Sequence, residues 1–180
     1  MLICGRACWS SFGGHNETLP QETVTIQPDM AEHVPDLAFP SVQVAVLSPM
    51  RTFWEKVTLI HVECHRPELR HTAEQLSRHR YDLARLAGHE VGRRALDNTA
   101  LLHDVLRIKE IFFRRSLSHY ESCATGALRL IPDTVLRAVL RHDYQAMQDA
   151  QMFYGEALFF DDIVERLSGL EREINARLKS

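Results

Sequence analysis

The sequence predicts an α+β chain that is mostly α: a short remnant of sheet, then a bundle of about five helices. Three observations carry this. Before Ser48, brief Val- and Thr-rich alternations are bounded by Pro28, Pro35 and Pro40. After Pro49, apolar residues recur every three to four positions, the period of an amphipathic helix. No internal repeat or low-complexity segment interrupts that order. The expected organisation is an N-terminal segment with the sheet remnant over 1–48, its first eleven residues irregular, and a helical domain over 49–180.

Residues 1–20 carry no clear period and are punctuated by Gly13-Gly14 and Pro20. Thr23–Gln27 alternates as a short strand, and Val42–Leu47 as a second. Ser48-Pro49 has the form of an N-cap followed by proline at the first helical position. Phe53, Val57, Ile60 and Cys64 then form one stripe of a helix that ends at Pro67. A polar connector, Glu68 to Gln75, leads to Ser77, the expected cap of a second helix. That helix carries Tyr81, Leu83, Ala84 and Leu86 and closes near Gly88. A third helix is expected over Asn98–Phe113, with Leu101, Leu102, Val105, Ile108 and Phe112 inward. Pro132 opens a fourth, through about Met147. Asp161 or Asp162 opens a fifth, with Ile163, Leu167, Leu170 and Ile174 at helical spacing.

Composition narrows the class. The 180 residues suffice for one domain with a real core. Hydrophobic residues at 45% and charged residues at 25% are ordinary for a globular chain. No apolar run approaches the roughly 20 residues that span a bilayer, and the start lacks a signal-peptide core. A cytoplasmic protein with no membrane partner is expected. Cys4, Cys8, Cys64 and Cys123 show no CxxC spacing and are expected to be reduced thiols. The net charge of −3 hides an asymmetry: residues 66–115 hold eleven Lys/Arg against seven Asp/Glu, and residues 143–173 hold two against eight. The basic middle, with Arg78, Arg80, Arg85, Arg93 and Arg94, is either a face for a polyanion such as RNA or a solvated surface that pairs with the acidic end.

Two charged residues stand out. Lys56 borders an apolar stripe, where a lysine either snorkels to water or aims a compact charge at phosphate. Asp82 has Arg78 one turn before it and Arg85 three residues after, so it is either an ordinary helix ion pair or a carboxylate at the edge of a phosphate cleft.

Arg51-Thr52-Phe53-Trp54-Glu55-Lys56 and Ser77-Arg78-His79-Arg80-Tyr81-Asp82-Leu83 resemble the third and fourth motifs of the AbiEii/AbiGii toxin family. These are nucleotidyltransferases with a DNA polymerase β-like core. Phe12-Gly13-Gly14 with Asn16-Glu17, Asp143-Tyr144-Gln145-Ala146-Met147 and Phe153-Tyr154-Gly155-Glu156 extend the similarity over about residues 12–175. The resemblance implies that Lys56 and Asp82 are active-site residues and that Lys56 and Arg78 contact the nucleotide. It also implies an NTP and Mg²⁺ as cofactors, a tRNA end as acceptor, and a separate antitoxin. The chain departs from the pattern in one respect: it contains no Gly-Ser dipeptide and no Asp-x-Asp to hold metal ions. Asp161 and Asp162 are adjacent, and so diverge by about 100° on a helix. The expectation is a C-terminal portion, N-terminally truncated and inactive alone.

Two alternatives remain open. One is a non-catalytic helical interaction module, a homo-oligomer such as a dimer that covers the surface left by a lost catalytic lobe. The other is a HEPN-like ribonuclease, from Arg137 and His142 in R-x4-H spacing; Arg66 and His71 share that loose pattern. His61 and His65, at i and i+4, have metal-ligand spacing but no further ligands, and are expected to be structural. His61-Val62-Glu63 lacks the Pro-Cys-x-x-Cys of zinc deaminases. His79-Arg80-Tyr81-Asp82-Leu83 lacks the glycine loop and Asp-Phe-Gly of kinases.

Overall fold

The computed structural model describes residues 19–66, 76–113, 118–153 and 155–179. Its elements are β1 (Gln21–Ile26), β2 (Val42–Leu47), α1 (Pro49–Cys64), α2 (Leu76–Ala87), α3 (Glu90–Leu96), α4 (Thr99–Phe113), α5 (Tyr120–Ala124), α6 (Thr134–Asp149) and α7 (Phe160–Arg177). The architecture is α+β and mostly α, as the periodicity predicts. All five expected helices are present, and two short ones, α3 and α5, are added among the described residues. The pieces assigned to Pro67–Gln75 and to residues 1–18, including Cys4, Cys8 and Phe12 to Glu17, lie outside the described residues, as does Tyr154.

β1 and β2 pair antiparallel, with Val24 opposite Val44 and Ile26 opposite Val42. Alternation puts Val24, Ile26, Val42, Val44 and Val46 on one face and Thr23, Thr25, Gln43 and Ala45 on the other. The apolar face stays largely open to solvent at Ile26, Val42 and Val44. β1 begins two residues earlier than the alternation predicts. The hairpin is tied down at its base. Ser48 N–H donates to Pro20 O at 2.9 Å, and Ser48 Oγ donates to Glu22 Oε1 at 3.0 Å. Ser48 thus occupies the N-cap position, but its hydroxyl serves the strand rather than the helix end.

α1 is the axis of the bundle and contacts α2, α3, α4 and α5. Phe53, Trp54, Val57 and Ile60 are fully buried, at the spacing that places them on one face. Phe53 and Trp54 meet edge-to-face, with centroids 5.1 Å apart. The same core takes in Leu83 and Ala84 of α2, Leu102 and Val105 of α4, Leu140 and Tyr144 of α6, and Ile163, Leu167, Leu170 and Ile174 of α7, with α6 and α7 packed on α2. Phe112 departs from expectation: the α4 stripe runs out beyond Ile108, and Phe112 is 54% exposed beside Ile111 and Phe113. Cys64 and Cys123 are buried free thiols.

Cap chemistry corrects several boundaries. Asp133, not Pro132, caps α6, its Oδ1 accepting from Leu136 N–H at 2.8 Å. α7 begins at Phe160, with Asp161 and Asp162 in the first turn, where carboxylates favour the helix dipole. Among the described residues no strand pairs with the extended stretch before α6, and α7 side chains satisfy its backbone. Asn175 brackets Leu128, accepting from its N–H at 2.8 Å and donating to its C=O at 2.9 Å. Glu171 accepts from the N–H groups of Leu130 and Ile131. Gly92 explains why α3 can follow α2 so tightly: a Cβ there would lie 2.5 Å from Leu86 O.

Candidate functional site

The two motif segments fold so that each residue has a separate duty. In α1, Arg51 is 1% exposed and anchors the base of the hairpin. It donates to Leu19 O at 2.6 Å, Asp104 Oδ2 at 3.0 Å and Glu55 Oε1 at 3.2 Å. Phe53 and Trp54 turn into the core. Lys56 turns the other way, toward α2. In α2, Tyr81 joins an aromatic group with Phe153 (4.5 Å between centroids) and Tyr144. Leu83 enters the core, which leaves Asp82 facing α1.

Lys56 and Asp82 therefore meet. Nζ lies 2.8 Å from Oδ2, and the side chains keep 18% and 28% of their exposure. Asp82 does not take the intrahelical partner that spacing alone favours: neither Arg78 nor Arg85 forms an ion pair with it among the described residues. Arg85 instead lies over the Tyr81 ring at 6.0 Å. Arg78 is half-buried on the same face of α2 as Asp82, one turn earlier, with no hydrogen bond or ion pair among the described residues.

The position of Asp82 is set from a distance. Ser77, expected as a helix cap, lies inside the first turn of α2, and its N–H and hydroxyl both donate to Asp143 Oδ2 of α6. Its hydroxyl also lies 3.2 Å from Met147 Sδ. Tyr144 OH donates to Leu158 O. The Asp143-Tyr144…Met147 segment thus clamps the start of the helix that presents Asp82. Sequence reasoning gave that segment no structural duty, because the contact spans more than sixty positions.

His79 is a further residue of the site that sequence pattern does not single out. It sits between Arg78 and Arg80, three residues before Asp82, and its Nδ1 is shielded from solvent with no hydrogen-bond partner among the described residues. Burial, then the Lys56 charge, pushes its pKa down to about 4. The imidazole is neutral near pH 7 and adds no charge to the site. Arg80 is 2% exposed and donates to Cys64 Sγ at 3.7 Å. Its charge is offset by Glu63 and Asp143, so it belongs to the interior rather than to a basic surface. Arg93 and Arg94 are exposed on α3.

The other candidates are differently placed. His61 is fully buried, accepting from Arg129 N–H at Nδ1 (2.9 Å) and lying 3.1 Å from His119 O at Nε2. Burial, then His65, lowers its pKa to about 4. His65 stacks on His119 and meets the His61 ring at a tilt. Arg137 lies 3.8 Å from Asp161, and His142 is exposed on α6. Among the described residues no group of three His, Cys, Asp or Glu is placed to hold a metal ion. Asp82 is committed to an ammonium. The donors described here therefore do not fit Mg²⁺, whereas Lys56 and Arg78 are suited to a nucleotide's phosphates. No described helix is long and apolar enough to cross a membrane.

Comparison with known proteins agrees with the motifs. A search of curated proteins and a search of solved structures returned no match. The family model described as "Nucleotidyl transferase AbiEii toxin, Type IV TA system" matches residues 11–166, a span containing the hairpin, α1 to α6 and the Lys56–Asp82 pair. The chain belongs to the AbiEii nucleotidyl transferase toxin family.

Proposed function

We propose that this chain forms the nucleotide- and acceptor-binding part of an AbiEii-type nucleotidyltransferase toxin. Lys56 contacts phosphate, and Asp82 with Arg78 shapes the cleft. The observation that carries the reading is the 2.8 Å meeting of Lys56 and Asp82 from two helices whose Phe53, Trp54 and Leu83 serve the core. Membership of a type IV toxin–antitoxin family implies an antitoxin partner. The family chemistry uses an NTP and Mg²⁺, and the metal would supply charge neutralisation at the transferring phosphoryl group. Its ligands are not among the residues described here. The acceptor is an RNA end, met by exposed basic side chains such as Arg93 and Arg94.

These 180 residues alone do not transfer nucleotides, since they hold neither a Gly-Ser pair nor an Asp-x-Asp. The test has two arms. Calorimetry with ATP detects binding that Lys56→Ala weakens at least tenfold. Incubation with labelled NTPs and tRNA gives no incorporation. Equal ATP binding by the two proteins overturns the site, and incorporation that Lys56→Ala abolishes overturns the inactivity.

One observation favours a second reading, a non-catalytic interaction module. Ile26, Val42 and Val44 on the hairpin and Ile111 to Phe113 on α4 are exposed apolar groups. Light scattering decides it: a concentration-dependent dimer supports this reading, and a monomer at high concentration removes it.

A further inference from the structure

The ammonium of Lys56 is not vacant. Asp82 holds it at 2.8 Å while both side chains remain accessible. Arg78, one turn before Asp82 on the same face of α2, has no counter-charge among the described residues. His79 beside them is neutral at pH 7. Among the described residues the cluster is therefore a compensated pair next to a cation without a counter-charge.

We propose that Asp82 is a selectivity element for polyphosphate ligands, a resting occupant of Lys56 that a ligand with several phosphate groups displaces after Arg78 has caught it. This inference rests on the reading of Lys56 as the phosphate contact. The physical reason is competition. Asp82 is tethered to the site, so it faces Lys56 at an effective concentration in the millimolar range or above. A single phosphate gains from Lys56 only what the carboxylate already supplies, and it is repelled by that carboxylate at short range. A polyphosphate engages two cations at once. One group sits on Arg78, and the neighbouring group then meets Lys56 as an intramolecular partner of equal standing with Asp82. The released carboxylate stays at the cleft edge, where it disfavours anions that cannot bridge both cations. Asp82 thereby lowers affinity for every phosphate ligand and makes chain length matter.

The experiment is calorimetric titration of the full chain with inorganic tripolyphosphate and inorganic phosphate in magnesium-free buffer at low salt. The proteins are wild type, Asp82→Asn, Asp82→Ser, Lys56→Ala, Arg78→Ala and the Lys56→Ala/Asp82→Asn double variant. Thermal melts confirm folding of each. Asp82→Asn and Asp82→Ser bind tripolyphosphate about tenfold more tightly than wild type, equivalent to about 1.4 kcal/mol. The double variant shows no such gain, because the freed ammonium is gone. Arg78→Ala weakens wild-type binding at least tenfold. Folded Asp82 variants that bind tripolyphosphate as weakly as wild type, or more weakly, overturn the inference. If wild type still binds and Lys56→Ala still impairs it, the phosphate site itself survives that result. No binding by wild type and Asp82→Asn alike removes both.

Discussion

Acidification should destabilise this protein well before its carboxylates protonate, and His61 is the principal reason. The imidazole is fully buried, and Arg129 N–H, which can only donate, approaches its Nδ1 at 2.9 Å. The ring hydrogen therefore sits on Nε2, facing His119 O at 3.1 Å. Protonation would set an N–H against an N–H in a site shielded from bulk solvent. The pKa falls from 6.5 to about 4, first through burial and then through His65. In the unfolded chain the same ring titrates near 6.5. The native state thus resists a proton that the unfolded state accepts. The associated stability is complete above pH 6.5 and disappears as pH falls toward 4. The lowering converts to roughly 3 kcal/mol at the acid end. That is a large part of the 5–15 kcal/mol typical of a domain. His79, also lowered to about 4, adds a comparable loss over the same window. Urea midpoints measured from pH 7.5 to 4.5 read this directly. In the middle of the window wild type should lose stability at the slope of about two protons, or roughly 3 kcal/mol per pH unit. His61→Gln should cost roughly 2 kcal/mol at pH 7.5, through the lost ring contacts, and its acid slope should fall to about one proton. An His61→Gln slope equal to that of wild type would refute the reasoning.

Other outcomes follow from named contacts. Arg51→Ala leaves Asp104, Glu55 and Leu19 O without their buried cation. It should cost roughly 3–5 kcal/mol, and Tm should fall by about 2–4 °C per kcal/mol. Gly92→Ala drives a Cβ to 2.5 Å of Leu86 O, a backbone atom that cannot swing aside. A loss of roughly 2 kcal/mol or more in denaturant melts is expected, and an unchanged midpoint contradicts it. Asn175→Ala removes both bonds that bracket Leu128. Stability should drop by roughly 2 kcal/mol, and hydrogen exchange at Leu128 should accelerate more than elsewhere.

The long helices were legible because their apolar stripes are local patterns. Ile163, Leu167, Leu170 and Ile174 are all buried as spacing predicts. α3 and α5 were not legible. At seven and five residues they are too short for a period to emerge, and they are held by packing on α1. Ser48 and Ser77 show a second limit: both have cap-like sequence, yet long-range partners, Glu22 and Asp143, claim their hydroxyls. The meeting of Lys56 and Asp82 followed from family resemblance, since nothing in either helix alone says which neighbour it faces. Within α2, spacing pointed to Arg78 or Arg85 as the partner of Asp82, and the ammonium from α1 took that place. The contribution of His79 could have been suspected from its position one turn before Asp82, but its burial could not.

Contact between the ammonium at position 56 and phosphate is what the proposed function requires of this site. The chain holds just three lysines, Lys56, Lys109 and Lys179, so each side-chain ammonium signal in a ¹⁵N NMR spectrum can be assigned by substitution. On titration with ATP, the Lys56 signal should shift progressively and saturate while those of Lys109 and Lys179 stay nearly still. A Lys56 signal that does not move at saturating ATP would contradict the account.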